Sequence, residues 1–315
     1  MTRVVEAAAY GGPEVLTVVE APVGDPGPGR ARVAVRAAGV NPADWKSYTG
    51  AFGADPDRLP LRPGYEVAGV VTAVGPDAVG PAGPLAVGDE VIGFRVSGGY
   101  AAELVVPASA LVPKPAPLGW EPAAGLMLAG ATAVHALTAT GVGAGDTVLV
   151  HGASGGVGLM AVQLAALRGA RVVGTVGPDS ADLVRRFGAE PVRYGEGLAE
   201  RVRAVAPDGV DAAVDAVGTD EAVDVSLELV PDRQRIATVV AFARGAAEGI
   251  RRLGGGPGAD PGTQLRDAAR TELAELAGAG RLEVVVAGAY PLDEVAAAHR
   301  RGMAGHTHGK LVLLP

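Results

Sequence analysis

The sequence predicts an α/β protein with two domains, a β-barrel of short strands followed by a doubly wound parallel sheet. Three observations support this prediction. The chain has 315 residues, more than most single domains contain. Its first third is rich in valine and interrupted by Gly-Gly-Pro and Pro-Gly-Pro-Gly turns, which is typical of antiparallel barrels. After Trp120, short apolar strands alternate with helical segments, which is typical of a parallel sheet covered by helices.

The first domain is predicted from short valine-rich runs that end at turns. Its predicted strands are residues 4–9, 16–20, 31–38, 67–74, 87–94 and 100–107. A final strand at 309–314 has no natural place in a parallel sheet, so we expect it to return to this domain. We therefore predict one domain from residues 1–120 and 290–315, and a second from 121–289.

The second domain is predicted from the alternation of strands and helices. Predicted helices are residues 121–140, 155–168, 180–187 and 265–279, and a flexible loop is predicted at 252–261. Predicted strands are 147–151, 171–176, 210–215 and 235–240. This order favours strand–helix–strand units.

Composition excludes several classes of protein. The chain has no cysteine, which excludes disulfides, thiolate nucleophiles and zinc sites that use sulfur. Its net charge of −8 makes nucleic acid and anionic membranes poor partners. No apolar run is long enough for a membrane helix, and no signal peptide is apparent. We expect a cytoplasmic protein that acts on a small molecule.

A glycine-rich loop is the strongest functional signal. Residues 148–158 read VLVHGASGGVG, a valine-rich strand that runs through glycines into a helix. Ala153, Gly155 and Gly158 occupy the spacing of the dinucleotide-binding fingerprint. Glycine there lets a pyrophosphate approach backbone N–H groups at the amino end of the helix. The loop therefore predicts dinucleotide binding.

The end of the next strand indicates which dinucleotide is bound. NAD sites usually carry Asp or Glu about 20 residues after the glycines, and Gly177 stands there instead. The missing acid favours NADP, although Asp179 would repel its phosphate unless it points away. Ser180 would bond that phosphate, and Arg185 or Arg193 would contact it if the loop folds over.

Several motifs together resemble the zinc-free quinone oxidoreductase branch of the medium-chain dehydrogenase/reductase superfamily. They are NPADWK at 41–46, PGYE at 63–66, VGDEV at 87–91, AGATA at 129–133 and GKL at 309–311. The resemblance implies a chaperonin-10-like β-barrel domain, a Rossmann domain and a tail that rejoins the first domain. It also implies a homodimer formed through an edge of the Rossmann sheet near residues 282–287.

The resemblance also bears on zinc. The zinc-dependent branch has cysteine where Asn41 stands and histidine where Tyr65 stands, and of these positions only Glu66 could bind a metal. His306 and His308 lack a third ligand and are expected at the surface. We predict no zinc site. Without zinc, hydride transfer from NADPH to a quinone or an α,β-unsaturated carbonyl is the easier reaction, because conjugation spreads the developing charge.

The resemblance implies three catalytic residues, at motif positions that face the cleft in relatives. Asn41 would donate to the substrate oxygen or the nicotinamide ribose, and Lys46 would bond the ribose hydroxyls or raise the local positive potential. Tyr65 would donate a hydrogen bond or a proton. Their structural alternatives are a turn-former before Pro42, a solvated lysine and a packing tyrosine. Functional alternatives are an enoyl or ketone reductase of a biosynthetic pathway and a protein that binds NADPH with little turnover.

Further site residues are predicted in two groups. Besides Asn41 and Lys46, the predicted cofactor residues are Thr132, Ser154, Gly155, Gly156, Val157, Gly158, Gly177, Ser180, Tyr194, Val217, Val240, Phe242 and Lys310. The predicted substrate pocket consists of Tyr48, Phe52, Phe94 and Phe242, with Tyr48 and Phe52 on a lid.

Overall fold

The structure, a computed structural model, describes all residues from Met1 to Pro315. The chain forms two compact units. Unit 1 consists of Met1–Leu128 with Arg270–Pro315, and unit 2 consists of Ala129–Ala269. The functional domain boundaries that the sequence predicts, after residues 120 and 289, stay a prediction, because compactness alone assigns no binding role to either unit.

Strands and helices alternate along most of the chain. The strands are β1 Thr2–Ala7, β2 Leu16–Ala21, β3 Arg30–Val40, β4 Glu66–Val74, β5 Val79–Gly80, β6 Gly83–Pro84, β7 Glu90–Phe94, β8 Glu103–Pro107, β9 Leu111–Pro113, β10 Thr147–His151, β11 Arg171–Val176, β12 Ala189–Arg193, β13 Ala212–Asp215, β14 Ile236–Thr238, β15 Arg251–Arg252, β16 Val286–Pro291 and β17 Lys310–Leu314. The α-helices are α1 Pro42–Tyr48, α2 Trp120–Ala124, α3 Met127–Ala139, α4 Gly156–Leu167, α5 Ala181–Arg186, α6 Leu198–Val205, α7 Asp220–Leu229, α8 Phe242–Glu248, α9 Thr263–Gly278 and α10 Val295–Met303. None of these helices combines the length and the apolar character that crossing a bilayer requires.

Unit 1 is built on a seven-stranded sheet. Its order is β16-β17-β3-β4-β7-β9, and β8 also pairs with β3. The last strand returns to this sheet as predicted, because β17 pairs antiparallel with β3 and sets Leu311 opposite Val40. That register brings Lys310, at the start of β17, to the end of β3, where Asn41 follows.

Unit 2 is a parallel six-stranded sheet in the order β12-β11-β10-β13-β14-β15. This is the Rossmann order, in which the direction of winding reverses between the first and fourth strands in sequence, here β10 and β13. Ligands bind outside the carboxyl ends of strands at such a reversal. The predicted fold class, a chaperonin-10-like domain with a Rossmann sheet, is confirmed.

Several element boundaries differ from the prediction. The helix predicted over 121–140 is two helices, because α2 ends at Ala124, where Gly125 caps it, and α3 starts at Met127. The strand predicted from residue 87 starts at Glu90, since Gly88 has a φ of +97° that suits a turn. β12 was missed because Pro191 interrupts its pattern, but β12 is an edge strand, where proline is tolerated.

The predicted dimer edge is wrong in its placement. Residues 282–287 lead into β16, which pairs with β17 in the sheet of unit 1. The edges of the parallel sheet are instead β12 and β15. The homodimer itself stays a prediction.

Candidate active site

The glycine loop of unit 2 joins β10 to α4. All five residues of β10 are buried, and the chain turns at Gly152, whose φ of +70° lies in the left-handed region. Gly155 then caps α4 at its amino end. The left-handed turn falls at Gly152 rather than at Ala153, which explains why alanine is accepted at the first position of the fingerprint.

The two later glycines of the fingerprint have different reasons to be glycine. A Cβ on Gly158 would lie 2.1 Å from the Gly152 carbonyl oxygen, so this glycine is required by the packing of α4 on the loop. A Cβ on Gly155 would meet only that same oxygen at 3.4 Å. Ser154, Gly156 and Val157 are half-buried around it. The helix end beside Gly155 is therefore open to an anion, which its dipole favours.

Residues after β11 form the second part of the candidate cofactor site. A Cβ on Gly177 would lie 3.4 Å from the Tyr194 hydroxyl, so these two predicted residues are neighbours. Ser180 is 1% exposed and its hydroxyl has no hydrogen-bond partner, which costs about 1–3 kcal/mol unless a ligand or water supplies one. Asp179 is exposed, and Arg185 is paired with Asp182.

A buried carboxylate organises the loops after β13 and β14. Asp215 Oδ1 accepts the Val217 and Gly218 N–H groups at 3.0 and 2.8 Å. Asp215 Oδ2 accepts the Thr238 hydroxyl at 2.7 Å. That hydroxyl in turn accepts N–H groups from the chain after β14, at Val240 (3.1 Å) and Ala241 (2.8 Å). The pair Asp215–Thr238 thus fixes the main chain at two predicted cofactor residues, Val217 and Val240.

Sequence reasoning missed Asp215 and Thr238. They are the last residues of β13 and β14, and the parallel register places them opposite each other. His151, at the end of β10, lies opposite Asp215 on the other side. A signal was available, because polar residues at the carboxyl ends of adjacent strands mark the binding edge of such a sheet.

His151, which lies beside Asp215 at the carboxyl ends of these strands, is uncharged. Its Nε2 lies 3.1 Å from the Ser226 hydroxyl, which donates its own proton to the Ala222 carbonyl at 2.7 Å. The serine can therefore only accept from the ring, so Nε2 carries the proton. Burial lowers the pKa of His151, which keeps the imidazole uncharged at neutral pH.

Unit 1 contains a buried cluster of three side chains, Asn41, Glu66 and Lys310. The ammonium of Lys310 lies 2.9 Å from Glu66 Oε1 and also bonds Asn41 Oδ1. Asn41 Nδ2 donates to the same Glu66 oxygen at 2.9 Å, and Glu66 Oε2 accepts the Leu128 N–H at 2.8 Å. Both ends of the Asn41 amide are engaged, so Asn41 reaches a ligand only by exchanging one of these bonds.

Asp44 ties the Asn41 segment to the Tyr65 segment. Its carboxylate accepts the Asn41 N–H at 2.8 Å and the Gly64 N–H at 2.9 Å, and it is hydrogen-bonded to Tyr100. Burial raises the pKa of Asp44 to about 7, although these hydrogen bonds oppose the rise. Sequence reasoning quoted Asp44 only within a motif and assigned it no role.

Tyr65 lies beside a cavity of about 410 Å³ in unit 1. Burial raises the pKa of its phenol, the negative charge of Asp44 raises it further, and Arg58 opposes both. The phenol is therefore protonated at neutral pH and able to donate a hydrogen bond. Lys46, on α1, is half-buried and makes no side-chain hydrogen bond or ion pair. The buried lysine of the cluster is Lys310.

The predicted substrate-pocket residues differ in their burial and local surroundings. Tyr48 is 0% exposed and its hydroxyl bonds His299 Nδ1 at 2.7 Å, so its placement on a lid is wrong: the side chain packs in the core of unit 1. Phe52 is exposed, whereas Phe94 is buried at the end of β7. Phe242, in unit 2, lies against Gly256. Thr132 is buried on α3.

The buried His299 connects two tyrosines to Asp44. Its Nε2 lies 3.1 Å from the Tyr100 hydroxyl, and Tyr100 is hydrogen-bonded to Asp44. Burial lowers the pKa of His299 to about 4, so the ring is neutral. The Tyr48 hydroxyl donates to Nδ1, Nε2–H donates to Tyr100, and Tyr100 donates to Asp44. Both tyrosine hydroxyls and both ring nitrogens of His299 are thereby hydrogen-bonded.

The residues at the position of the catalytic zinc in related enzymes do not fit that metal. Asn41 and Tyr65 supply an amide and a protonated phenol, and the Glu66 carboxylate is paired with an ammonium ion. Zinc prefers cysteine, histidine and free carboxylates. His306 is exposed on a loop, and no group of three or more His, Asp or Glu side chains comes together to hold a metal ion.

Comparison with known proteins identifies the family. Residues 27–116 match the alcohol dehydrogenase GroES-like domain, and residues 187–313 match a family described as zinc-binding dehydrogenase. A quinone oxidoreductase of Pseudomonas aeruginosa is 35% identical, with 100% of both chains covered. A 2-haloacrylate reductase of a Burkholderia species is 34% identical over 97% of this chain and 96% of its own.

A solved structure agrees with these relatives. A mycobacterial protein in complex with NADPH is 33% identical, covers 100% of both chains and superimposes with a TM-score of 0.86. The motifs, both sheet topologies and these full-length matches lead to one conclusion. The chain belongs to the medium-chain dehydrogenase/reductase superfamily and, within it, to the quinone oxidoreductase branch.

Proposed function

We propose that the protein is an NADPH-dependent, zinc-independent reductase that transfers a hydride to quinones or α,β-unsaturated carbonyls. The glycine loop carries this proposal. Its open helix end beside Gly155 accepts a pyrophosphate, while Gly152 and Gly158 serve the turn and the packing that shape it. The quinone oxidoreductase and 2-haloacrylate reductase relatives support the class of acceptor.

The preference for NADPH rests on the residues after β11. Gly177 supplies no carboxylate to repel a 2′-phosphate, and the Tyr194 hydroxyl stands beside it. The Ser180 hydroxyl lacks a partner within the protein. A phosphate oxygen accepts hydrogen bonds from both kinds of hydroxyl. The NADPH complex of the mycobacterial relative supports the same choice.

When bound, NADPH supplies the hydride, and the chain's own residues prepare the acceptor. Tyr65, protonated at neutral pH, donates a hydrogen bond to the carbonyl oxygen on which negative charge develops. One such donor contributes about 2.7–4 kcal/mol in well-studied cases. Asp44 positions this tyrosine by holding the Gly64 N–H at 2.9 Å. Protonation of the product needs no further acid, because water supplies that proton.

Asn41, Lys46 and Lys310 have supporting roles in this proposal. Lys310 provides a fixed positive charge that Glu66 and Asn41 hold in place. Because Asn41 and Lys310 are hydrogen-bonded to each other, a ligand hydroxyl that contacts one of them also changes the hydrogen bonding of the other. Lys46 is uncommitted on α1 and is free to bond ribose hydroxyls. By analogy with the relatives, we also propose a homodimer located in the cytoplasm.

Consumption of NADPH in the presence of a panel of quinones and enones tests this function. We expect steady turnover, a lower KM for NADPH than for NADH, and unchanged rates after treatment with a chelator. Tight NADPH binding without turnover would favour a binding protein. Activity that is lost to the chelator and restored by zinc would overturn the metal-free scheme.

A further inference from the structure

The cavity beside Tyr65 has a positively charged wall. Two arginines, Arg58 and Arg62, contribute to its lining. The other lining residues are Ser47, Pro60, Leu61, Pro63, Gly64, Tyr65, Val96 and Ser97. No acidic side chain lines it. This is unusual for a chain whose net charge is −8, and it makes the cavity suited to an anion.

The two arginines differ in what they already bind. Arg62 donates two hydrogen bonds to Glu6 Oε1, at 2.8 and 2.5 Å, so its charge is compensated within the protein. Arg58 is exposed, and its guanidinium makes no hydrogen bond or ion pair. Arg58 ends a short 3-10 helix, Pro56–Arg58. Asp55 caps this helix by accepting the Asp57 N–H, and Asp57 forms no ion pair with Arg58. Arg58 therefore offers an uncommitted guanidinium to the cavity.

Arg58 also acts on the phenol proposed to meet the substrate. Its positive charge opposes the rise in the pKa of Tyr65 that burial and Asp44 cause. The two groups are therefore close enough to interact electrostatically across one cavity. A ligand that spans them would place an anionic group at Arg58 and a carbonyl oxygen at Tyr65.

We propose that the preferred acceptors are conjugated alkenes that carry a carboxylate, with Arg58 binding the carboxylate as a specificity-determining residue. This inference rests on the proposed function. The carbon–carbon double bond is reduced: the hydride from NADPH forms a C–H bond at the β-carbon, a proton from water adds at the α-carbon, and NADPH becomes NADP⁺. Pairing with the guanidinium lowers the repulsion between the carboxylate and the charge that develops at the reacting carbons.

Monomethyl fumarate and dimethyl fumarate form a matched pair of substrates for the test. Both are activated by an ester, and only the first carries a carboxylate. In the wild type we expect a lower KM for monomethyl fumarate than for dimethyl fumarate. The difference between the two KM values should narrow as salt is added. Arg58→Gln should raise the KM for monomethyl fumarate by about tenfold and leave dimethyl fumarate unchanged, since Arg58 is partly screened by solvent. Arg36→Gln, at an exposed arginine of unit 1 that does not line the cavity, is the control and should change neither KM.

Three outcomes would overturn the inference: no preference for the carboxylate in the wild type, an equal effect of Arg58→Gln on both substrates, or an equal effect of Arg36→Gln. Reduction of neutral quinones but of neither fumarate would also overturn it and leave the proposed function intact. Failure to reduce any conjugated acceptor would instead overturn the proposed function.

Discussion

Two fully buried carboxylates, one in each unit, are stabilised in opposite ways. Glu66 in unit 1 is neutralised by a counter-charge, because the Lys310 ammonium lies 2.9 Å away. Asp215 in unit 2 forms no ion pair and is held by two backbone N–H groups and the Thr238 hydroxyl. Both side chains are 0% exposed. One buried carboxylate is thus stabilised by an opposite charge, and the other is stabilised by hydrogen bonds alone.

The difference follows from what each carboxylate organises. Glu66 depends on one residue brought from the far end of the chain, and the ion pair fixes the position of the Lys310 ammonium inside unit 1. Asp215 depends on its immediate main chain and fixes the geometry of two loops at the carboxyl edge of the parallel sheet. The Lys310 ammonium is thus held by an ion pair, whereas the main chain after β13 and β14 is held by several weaker hydrogen bonds.

Removing the counter-charge should have the largest effect. Lys310→Met leaves Glu66 buried without its partner, which we expect to lower the free energy of unfolding by about 3–5 kcal/mol. Urea denaturation measures this loss. Lys46→Met is the control and should lower the free energy of unfolding by less than about 1 kcal/mol, since the Lys46 side chain forms no hydrogen bond or ion pair. Adding Glu66→Gln to Lys310→Met should recover part of the loss. An equal effect of the two lysine variants would contradict the buried pair.

Breaking the hydrogen-bonded carboxylate should have a smaller effect. Thr238→Val removes the donor to Asp215 and the acceptor of two N–H groups, which we expect to cost about 2–3 kcal/mol and to weaken NADPH binding. Thr238→Ser keeps the hydroxyl and is the matched control. Calorimetric titration with NADPH distinguishes the two variants. The positioning role fails if Thr238→Val binds NADPH as tightly as Thr238→Ser.

The third buried carboxylate, Asp44, predicts a pH dependence. Its pKa is about 7 in the folded protein against 3.8 for a free side chain, so the folded state binds the proton more tightly. Between about pH 4 and pH 7 this group therefore makes stability fall as the pH rises. His299, whose pKa is lowered to about 4, acts in the opposite direction, since its contribution is lost as the pH falls from about 6.5 to 4.

His151, whose pKa burial also lowers to about 4, titrates in the same pH range as His299, so a variant is needed to isolate Asp44. We expect the free energy of unfolding of the wild type, minus that of Asp44→Asn, to decrease from pH 4 to pH 7 in a series of denaturation curves. A difference that is constant or increases over that range would show that Asp44 is ionised throughout.

The sequence predicted the elements that depend on local pattern. The bounds of β10 and β11 are the predicted ones, because valine-rich runs end there at turns that glycines mark. The glycine loop between β10 and α4 followed from the same pattern. Resemblance to a family then supplied the order of the two domains, which local propensity alone does not.

Contacts between distant segments were beyond the sequence. Lys310 meets Glu66 only because β17 pairs with β3, and Asp215 meets Thr238 only through the register of β13 and β14. Tyr48 was misplaced on a lid because the resemblance gave its position along the chain, whereas the orientation of α1 decides which side chain enters the core. Arg58 was missed because its guanidinium lacks a partner only in the folded structure, where Glu6 binds Arg62.

NADPH binding by Gly155→Val tests most directly whether the loop between β10 and α4 holds a dinucleotide. The Gly155 backbone suits any residue and its Cβ would have room, so this variant should fold. Gly143→Val, where a Cβ would have nothing within 4 Å, is the control. In a fluorescence titration we expect Kd to rise by about 100-fold or more for Gly155→Val, because the side chain separates phosphate from backbone N–H groups, and to be unchanged for Gly143→Val. A folded Gly155→Val that binds NADPH with wild-type affinity would contradict the assignment.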